Sequence, residues 1–452
     1  MEIDPGIFKA YDIRGVYPSE INEDTVYSIG RALASFTKAK TIVIGKDVRK
    51  SSDSLEAKMI EGMTDGGVNV IKIGISTTPM LYFASWNLDV DAGVIITASH
   101  NPAEYNGMKF CFKGAVPIGE GSGMEEIKKL ALEGNFKLVE DKGSVLEDEH
   151  LKQKYVGYIT GFFNKEVATE KKKIVVDFAN AMGILDKEVL ENMGDSVEKV
   201  YLYDQYDASF PNHEANPLKT ETLKVLQKKV LEEGADLGVS YDGDADRVGF
   251  IDEKGKVVPM DFVTALLAKE ILKKHPGSKI LMDLRGSNSV KEVIEEAGGI
   301  VNRSRVGHSL IKKQMREEGA IFAGELSGHY YFEENSKAEL ATLAVVTLIN
   351  LLNETGMTMS KLTEDLKRYF HSGEINSKVT DVNVVLANLE EKYAKGKVDK
   401  LDGIRIDFED WWFNVRASNT EPVVRLNLEA KTNELMEVKT AELLAIIRNL
   451  EE

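Results

Sequence analysis

One pattern, met three times along the chain, restricts its fold more than any other feature. An apolar strand runs into a polar loop, a helical stretch follows, and a second apolar strand closes the unit. The leading strands are Thr41-Ile42-Val43-Ile44, running into Gly45-Lys46-Asp47-Val48-Arg49; Ile174-Val175-Val176-Asp177, running into Phe178-Ala179-Asn180; and Ile280-Leu281-Met282-Asp283, running into Leu284-Arg285-Gly286-Ser287. Their partners are Val68 to Ile73, Val197 to Leu202 and Gly299 to Arg303. A helix between successive apolar strands predicts a βαβ unit with a mainly parallel sheet. Three units predict three related α/β domains, at a spacing far too long for a solenoid. Ligands of such sheets gather at the carboxyl ends of strands, where these polar loops lie.

The expected spans are 1–150, 151–254 and 255–370, with a smaller α+β domain over 371–452. The charged run Glu140 to Lys154 reads as the joint between the first two domains, and the turn Asp252 to Lys256 as the start of the third. Met359 to Phe370 reads as a helix. After it come short strands at Asp381 to Val385, Gly403 to Phe408, Trp411 to Val415 and Val423 to Glu429, then a closing helix, Leu435 to Leu450. Near the start, residues 7–15 read as an edge strand ending in a glycine turn, and Glu23 to Thr37 as a helix capped by Asn22.

With 43% hydrophobic and 29% charged residues, the 452-residue chain has the make-up of an ordinary globular protein. Its formal charge of -17 argues against general binding of nucleic acid or anionic membrane. Cationic contacts to a phosphate ester must therefore be local. No apolar run reaches membrane-spanning length, and the N-terminus lacks a signal-peptide pattern. Cys111, the single cysteine, rules out an intrachain disulfide and reads as a small packing residue. The expectation is a cytoplasmic protein; its oligomeric state is left open.

Four loops carry candidate chemistry. Thr97-Ala98-Ser99-His100-Asn101-Pro102 follows the apolar run Ala92 to Ile96 and precedes an Asn106-Gly107 turn signal and a strand, Met108 to Phe112. It reads either as a polar turn or as a tight loop that aims the Ser99 hydroxyl at a ligand. A Ser-His-Asp hydrolase is disfavoured, since an adjacent imidazole seldom reaches the hydroxyl and no G-x-S-x-G elbow surrounds it. Asp242-Gly243-Asp244-Ala245-Asp246-Arg247 lies between strands Leu237 to Tyr241 and Val248 to Ile251. Three carboxylates at alternate positions of extended backbone would share one side, a costly arrangement without a hard divalent cation such as Mg2+. The spacing also fits an EF-hand, but Arg247 stands where that loop needs glycine and strands replace the flanking helices. Gly324-Glu325-Leu326-Ser327-Gly328-His329, after Ala320 to Ala323, reads as a plain turn or as a loop suited to hydrogen bonding a diol, and His308 and His329 as structural or surface histidines or as acid/base groups. Arg416-Ala417-Ser418-Asn419-Thr420-Glu421-Pro422 reads either as a hydrogen-bonded turn with no ligand or as a site that offers a forked cation, hydroxyls and an amide to a phosphate or carboxylate.

In this order the four loops resemble those of the α-D-phosphohexomutase superfamily, and Phe8 to Gly15 is similar to its phosphomannomutase/phosphoglucomutase branch. The resemblance implies three similar α/β domains and a smaller C-terminal domain around a central cleft. The implied reaction interconverts hexose 1- and 6-phosphates of mannose or glucose, with a 1,6-bisphosphate as intermediate and activator. Ser99 would be carried as phosphoserine, and Mg2+ would sit on Asp242, Asp244, Asp246 and the modified Ser99. Arg14 and Arg247 would neutralise the transferred group, and Lys109, His100, His308 and His329 complete the implied catalytic set. Glu325 and Ser327 would hold sugar hydroxyls; Arg285, Arg416, Ser418, Asn419 and Thr420 would complete the substrate site. The partners implied are small sugar phosphates, not nucleic acid or membrane.

The chain departs from the pattern at Phe332 to Glu339, where many relatives carry an Asp/Gly-rich segment. Leu326 stands where phosphoglucosamine mutases usually carry glutamine, which separates the chain from that alternative. A metal-dependent phosphatase and a non-catalytic paralogue are the readings of other classes. The Arg416 to Pro422 loop argues against the first and the intact Ser99, Lys109 and aspartate set against the second.

Overall fold

The computed structural model describes residues 3–137, 139–168, 170–417 and 423–448. The repeated unit becomes three sheets with one shared strand order. In the first, Thr41–Lys46 lies between Asn69–Ile75 and Ala92–Ile96, all parallel, and Tyr105–Phe112 adds antiparallel beside Ala92–Ile96. In the second, Lys172–Asp177 lies between Val197–Leu202 and Leu237–Tyr241, with Val248–Asp252 antiparallel at the side. In the third, Lys279–Asp283 lies between Ile300–Ser304 and Phe322–Gly324, with Tyr330–Phe332 antiparallel. The sheets are thus mixed. Ala92–Ile96 and Leu237–Tyr241 are buried at every position, which explains why the first is apolar throughout and the second admits only Ser240 as a polar residue. The Ser99, Asp242 and Glu325 loops occupy the same place in each sheet: the turn from the third strand into the antiparallel fourth.

One continuous core joins the three blocks. It holds Val43 and Ile95 from the first, Val176 and Val239 from the second, and Ile280 and Phe322 from the third. Leu81, Tyr155, Leu267 and Ile349 tie their helices into it. The C-terminal domain keeps its own core, including Val385, Ile406, Phe413, Leu428 and Leu443. Its joint to the third domain is polar. Arg405 donates to Leu284 O at 2.6 Å, the Asn288 N–H donates to Glu429 Oε1 at 2.9 Å, and Arg303 pairs with Asp407 at 3.2 Å.

Several expectations change. Asn106-Gly107 is no turn: both residues lie inside Tyr105–Phe112, paired with Gly15 and Arg14. Glycine is needed there because a Cβ would stand 2.1 Å from Ile13 O, and the buried Asn106 amide is spent on the Ser51 and Ser52 hydroxyls. Asp381 to Val385 is the start of a helix, Val382–Lys392, because Asp381 accepts from the N–H groups of Asn383 and Val384. Met359 to Phe370 breaks into Met359–Leu362, a 3₁₀ turn at Glu364–Leu366, and Phe370–His371, which leaves to pair with Val423–Ala430. Of residues 7–15 only Ile13 onward joins the strand Ile13–Val16. The charged joint adds a strand, Val145–Glu147, parallel to Asn69–Ile75, and the 252–256 turn closes a hairpin inside the second sheet. The helix Glu23–Thr37 does carry the Asn22 cap expected of it. Among the described residues, no helix is long and apolar enough to cross a membrane.

Candidate active site

The first two blocks meet at Ser99. Its backbone is left-handed, with φ of 51°. From that turn Oγ donates to Asp242 Oδ2 at 3.2 Å and stands 3.1 Å from His100 Nδ1. The adjacent imidazole therefore does reach the hydroxyl, contrary to expectation, because the left-handed turn swings the two side chains to one side. Arg247 first, then burial and Arg14, hold the His100 pKa well below the usual imidazole value. The ring is accordingly neutral and available as an acceptor. Arg14 donates to Asn101 Oδ1 at 2.7 Å and pairs with Asp12, so it sits on the same loop.

Asp242, Asp244 and Asp246 are fully buried, and each offers an oxygen within 4.8 Å of the others. Their convergence comes from a looped backbone, with Ala245 at φ of 59°, and not from the extended run expected. Lys109 bridges Asp244 Oδ2 at 2.7 Å and Asp246 Oδ2 at 2.5 Å. Burial opposes its charge, but the two aspartates outweigh burial and hold the ammonium above the usual lysine range. One lysine does not satisfy three carboxylates. Asp244 Oδ1 and Asp246 Oδ1 are buried without a hydrogen-bond partner, and burial, then Asp244 and Asp246, push the Asp242 pKa far up. An orphaned, all-oxygen donor set of this kind fits a hard divalent cation.

The second and third blocks meet through backbone. Val248 N–H donates to Gly328 O at 3.0 Å, which brings His329 to the metal loop. His329 Nε2 stands 3.3 Å from Asp246 Oδ1 and 3.2 Å from Arg247 Nε; Nδ1 is 2.7 Å from Ser327 Oγ and 3.0 Å from Glu325 Oε2. Burial and Arg247 disfavour its cation, yet Asp246 and Glu325 prevail and lift its pKa to about 9. Glu325 also accepts from the Tyr331 hydroxyl at 3.0 Å, and despite burial His329 and Arg285 hold its pKa far below the usual carboxylate value. His308 stacks on His329 with ring centres 6.1 Å apart; burial lowers its pKa.

Arg285 donates to Asp283 from Nε and Nη2 at 2.9 and 2.5 Å. Its Nη1 reaches Glu374 Oε2 at 3.3 Å, the oxygen that Arg416 Nη2 also meets at 3.3 Å. Arg416, in the strand Trp411–Ala417, is thus linked to the third block through one shared carboxylate. Ser418, Asn419 and Thr420 lie outside the described residues.

Sequence reading missed three residues here. Thr78, at the start of the helix Thr78–Asn87, grips Asp244 twice: its N–H donates to Asp244 O at 3.0 Å and its hydroxyl to Oδ2 at 2.6 Å. Tyr331 and Glu339 are the others. Glu339, in the atypical segment, is fully buried between Lys312 Nζ at 3.0 Å and His308 Nδ1 at 3.3 Å. Glu339 follows Ser336, Lys337 and Ala338 in a two-residue strand and gave no local signal, and Thr78 lies 166 positions from its partner and gave none either.

Comparison with known proteins follows the same lines. Four family models match in succession: phosphoglucomutase/phosphomannomutase alpha/beta/alpha domain I at 5–138, domain II at 153–255, domain III at 259–369 and the C-terminal domain at 374–445. The chain is 41% identical over 452 residues to a phosphomannomutase of Methanocaldococcus jannaschii, covering 98% of each. It is 38% identical to a phosphomannomutase of Escherichia coli strain K12, covering 97% of this chain and 98% of that protein. The crystal structure of a phosphoglucomutase/phosphomannomutase family protein from Burkholderia thailandensis superposes with a TM-score of 0.91 at 29% identity, over 99% of this chain and 98% of the other.

Proposed function

The chain belongs to the phosphoglucomutase/phosphomannomutase family, and on that premise we propose that Ser99 is the relay through which it moves a phosphoryl group between the two ends of a hexose. The enzyme is a phosphohexomutase, an isomerase of mannose or glucose phosphates. Phosphorylated Ser99 gives its phosphoryl group to the free hydroxyl of a hexose monophosphate; the P–O bond to serine breaks, and a 1,6-bisphosphate forms. The bisphosphate turns over and returns its other phosphoryl group to Ser99, releasing the isomeric monophosphate. A trace of the same bisphosphate primes the unmodified serine.

The observation that carries this reading is the 3.2 Å contact of Ser99 Oγ with Asp242, inside a buried carboxylate set in which Asp244 Oδ1 has no hydrogen-bond partner and Asp246 Oδ1 faces only His329 Nε2 at 3.3 Å. Asp242, Asp244 and Asp246, with the modified Ser99, would hold Mg2+, which supplies charge neutralisation at the phosphoryl oxygens. Arg247 and Arg14 flank the same loop and stabilise the equatorial oxygens during transfer. His100, 3.1 Å from Oγ, is placed to exchange the serine proton, with His308 and His329 as further acid/base groups, while Lys109, kept protonated by Asp244 and Asp246, acts as a fixed positive charge beside the serine loop. Glu325 and Ser327 orient the sugar hydroxyls, while Arg285, Arg416, Ser418, Asn419 and Thr420 grip the phosphate that stays. The lone buried Cys111 suits a reducing cytoplasm.

Replacement of the relay tests the reading. Ser99→Ala, assayed on mannose and glucose 1-phosphates with trace bisphosphate, is expected to lose turnover by at least about a thousandfold. Its melting temperature should stay near that of the parent, because only one hydroxyl is removed. Retained isomerisation, or turnover of glucosamine 1-phosphate alone by the parent protein, would overturn the assignment.

A further inference from the structure

Arg49, in the polar loop after the first strand of the first block, has no place in the chemistry above, yet it is only 3% exposed and spends every donor it has. Nε donates to Asp47 Oδ2 at 3.1 Å. Nη1 donates to the carbonyls of Pro102 at 2.6 Å and Tyr105 at 3.0 Å, and Nη2 to those of Ser99 at 2.9 Å and Asn101 at 2.6 Å. Five planar N–H groups thus meet five acceptors, four of them backbone carbonyls: three in the serine loop and one, Tyr105, at the start of the strand that follows it. Asp47 is fixed in turn, since its Oδ1 accepts from the Arg49 N–H at 2.9 Å and the Ser52 hydroxyl at 2.6 Å. From the second block, the Phe210 ring covers the guanidinium carbon at 5.2 Å.

These contacts act on the part of the loop that is under strain. Ser99 holds a left-handed backbone that non-glycine residues adopt at a cost of about 1 kcal/mol. Its carbonyl is confined from the far side by Gly243 of the metal loop, where a Cβ would lie 2.1 Å from Ser99 O. Turning four carbonyls inward to one buried cation faces Oγ the other way, toward Asp242. The three repeats make the use specific. The equivalent aspartates Asp177 and Asp283 also accept the N–H two residues on, but Ala179 stands in the second block, and Arg285 in the third sends Nη1 outward to Glu374. Only the repeat that carries the serine folds an arginine beneath its own loop.

We propose that Arg49 is a positioning residue for phosphoryl transfer, holding the Ser99 loop in its reactive conformation without touching substrate. This rests on the mutase reading above. Arg49→Lys keeps the charge but offers three tetrahedral donors in place of a planar five. Displacement of a reacting oxygen by about 1 Å can cost a hundredfold. Arg49→Lys is therefore expected to lower kcat at least about tenfold while KM for hexose 1-phosphate stays within about twofold. Hydrogen exchange should speed up at residues 98–105 and remain unchanged elsewhere. Asp47→Asn, which loosens the fork at Nε, should move both readouts the same way by less. Unchanged kcat, a parallel change in kcat and KM, exchange that rises throughout the molecule, or failure of both variants to fold would each overturn the proposal. Absence of mutase activity in the parent protein would instead sink the mutase reading, and the local exchange at 98–105 would still decide whether Arg49 holds the loop.

Discussion

At the scale of single residues, burial decides which groups are unusual. The three aspartates stood out by spacing, because alternating carboxylates are costly and therefore rare without a ligand; Ser99 and His329 stood out only through the resemblance of their loops to a known family. Asp186 did not stand out. It lies fully buried in a helical stretch of the second block, accepts from the Thr342 hydroxyl of the third, and leaves Oδ1 without a partner. Burial pushes its pKa from 3.8 to about 7. The native state then keeps a proton that the unfolded chain releases above pH 4, so this group lowers stability as pH rises from about 4 to 7. The full effect is on the order of 4 kcal/mol. Asp186→Asn is expected to flatten that part of the stability–pH curve and to melt above the parent at pH 8, with the gap closing near pH 4. Denaturant titrations at the two pH values check this; a constant offset would refute it.

At the scale of elements, the strands announced themselves and the exceptions have local causes. Apolar runs buried on both faces marked Ala92–Ile96 and Leu237–Tyr241 within a residue. Asn106-Gly107 misled because the same two residues serve a hairpin turn or a close backbone approach, and only the neighbouring strand decides which. Here the neighbour is Ile13–Val16, whose Ile13 carbonyl fills the space of a side chain. Gly107→Ala should therefore part the edge strand that carries Arg14 and destabilise the fold by about 3 kcal/mol. Urea unfolding measures the loss, and a change below about 1 kcal/mol would mean that the pairing is not as described. Asp381 misled in the opposite sense: Val382 to Val385 favours a strand by composition, but an aspartate that caps two N–H groups starts a helix.

At the scale of the molecule, three blocks share one apolar core and the fourth is held through charged groups. Such a polar joint permits relative motion, whereas the shared core fixes the Ser99, Asp242 and Glu325 loops against one another. Glu374 is the carboxylate at that joint, met by Arg285, Arg416 and Arg425. On the proposed reading, a substrate phosphate would compete with it for the same guanidinium groups. Glu374→Gln is expected to lower KM for hexose 1-phosphate about fivefold, the worth of a half-exposed ion pair of roughly 1 kcal/mol. A raised KM in steady-state assays would show that Glu374 supports the site instead of competing for it. The repeat, its βαβ units and the four candidate loops could be read along the chain, because each is written in residues next to one another. Tertiary structure alone decided which oxygens are left without partners, that Thr78 and Arg49 brace loops far along the chain, and that the last domain is joined through ions. Those properties depend on which distant groups are brought out of water together, and no local pattern encodes that.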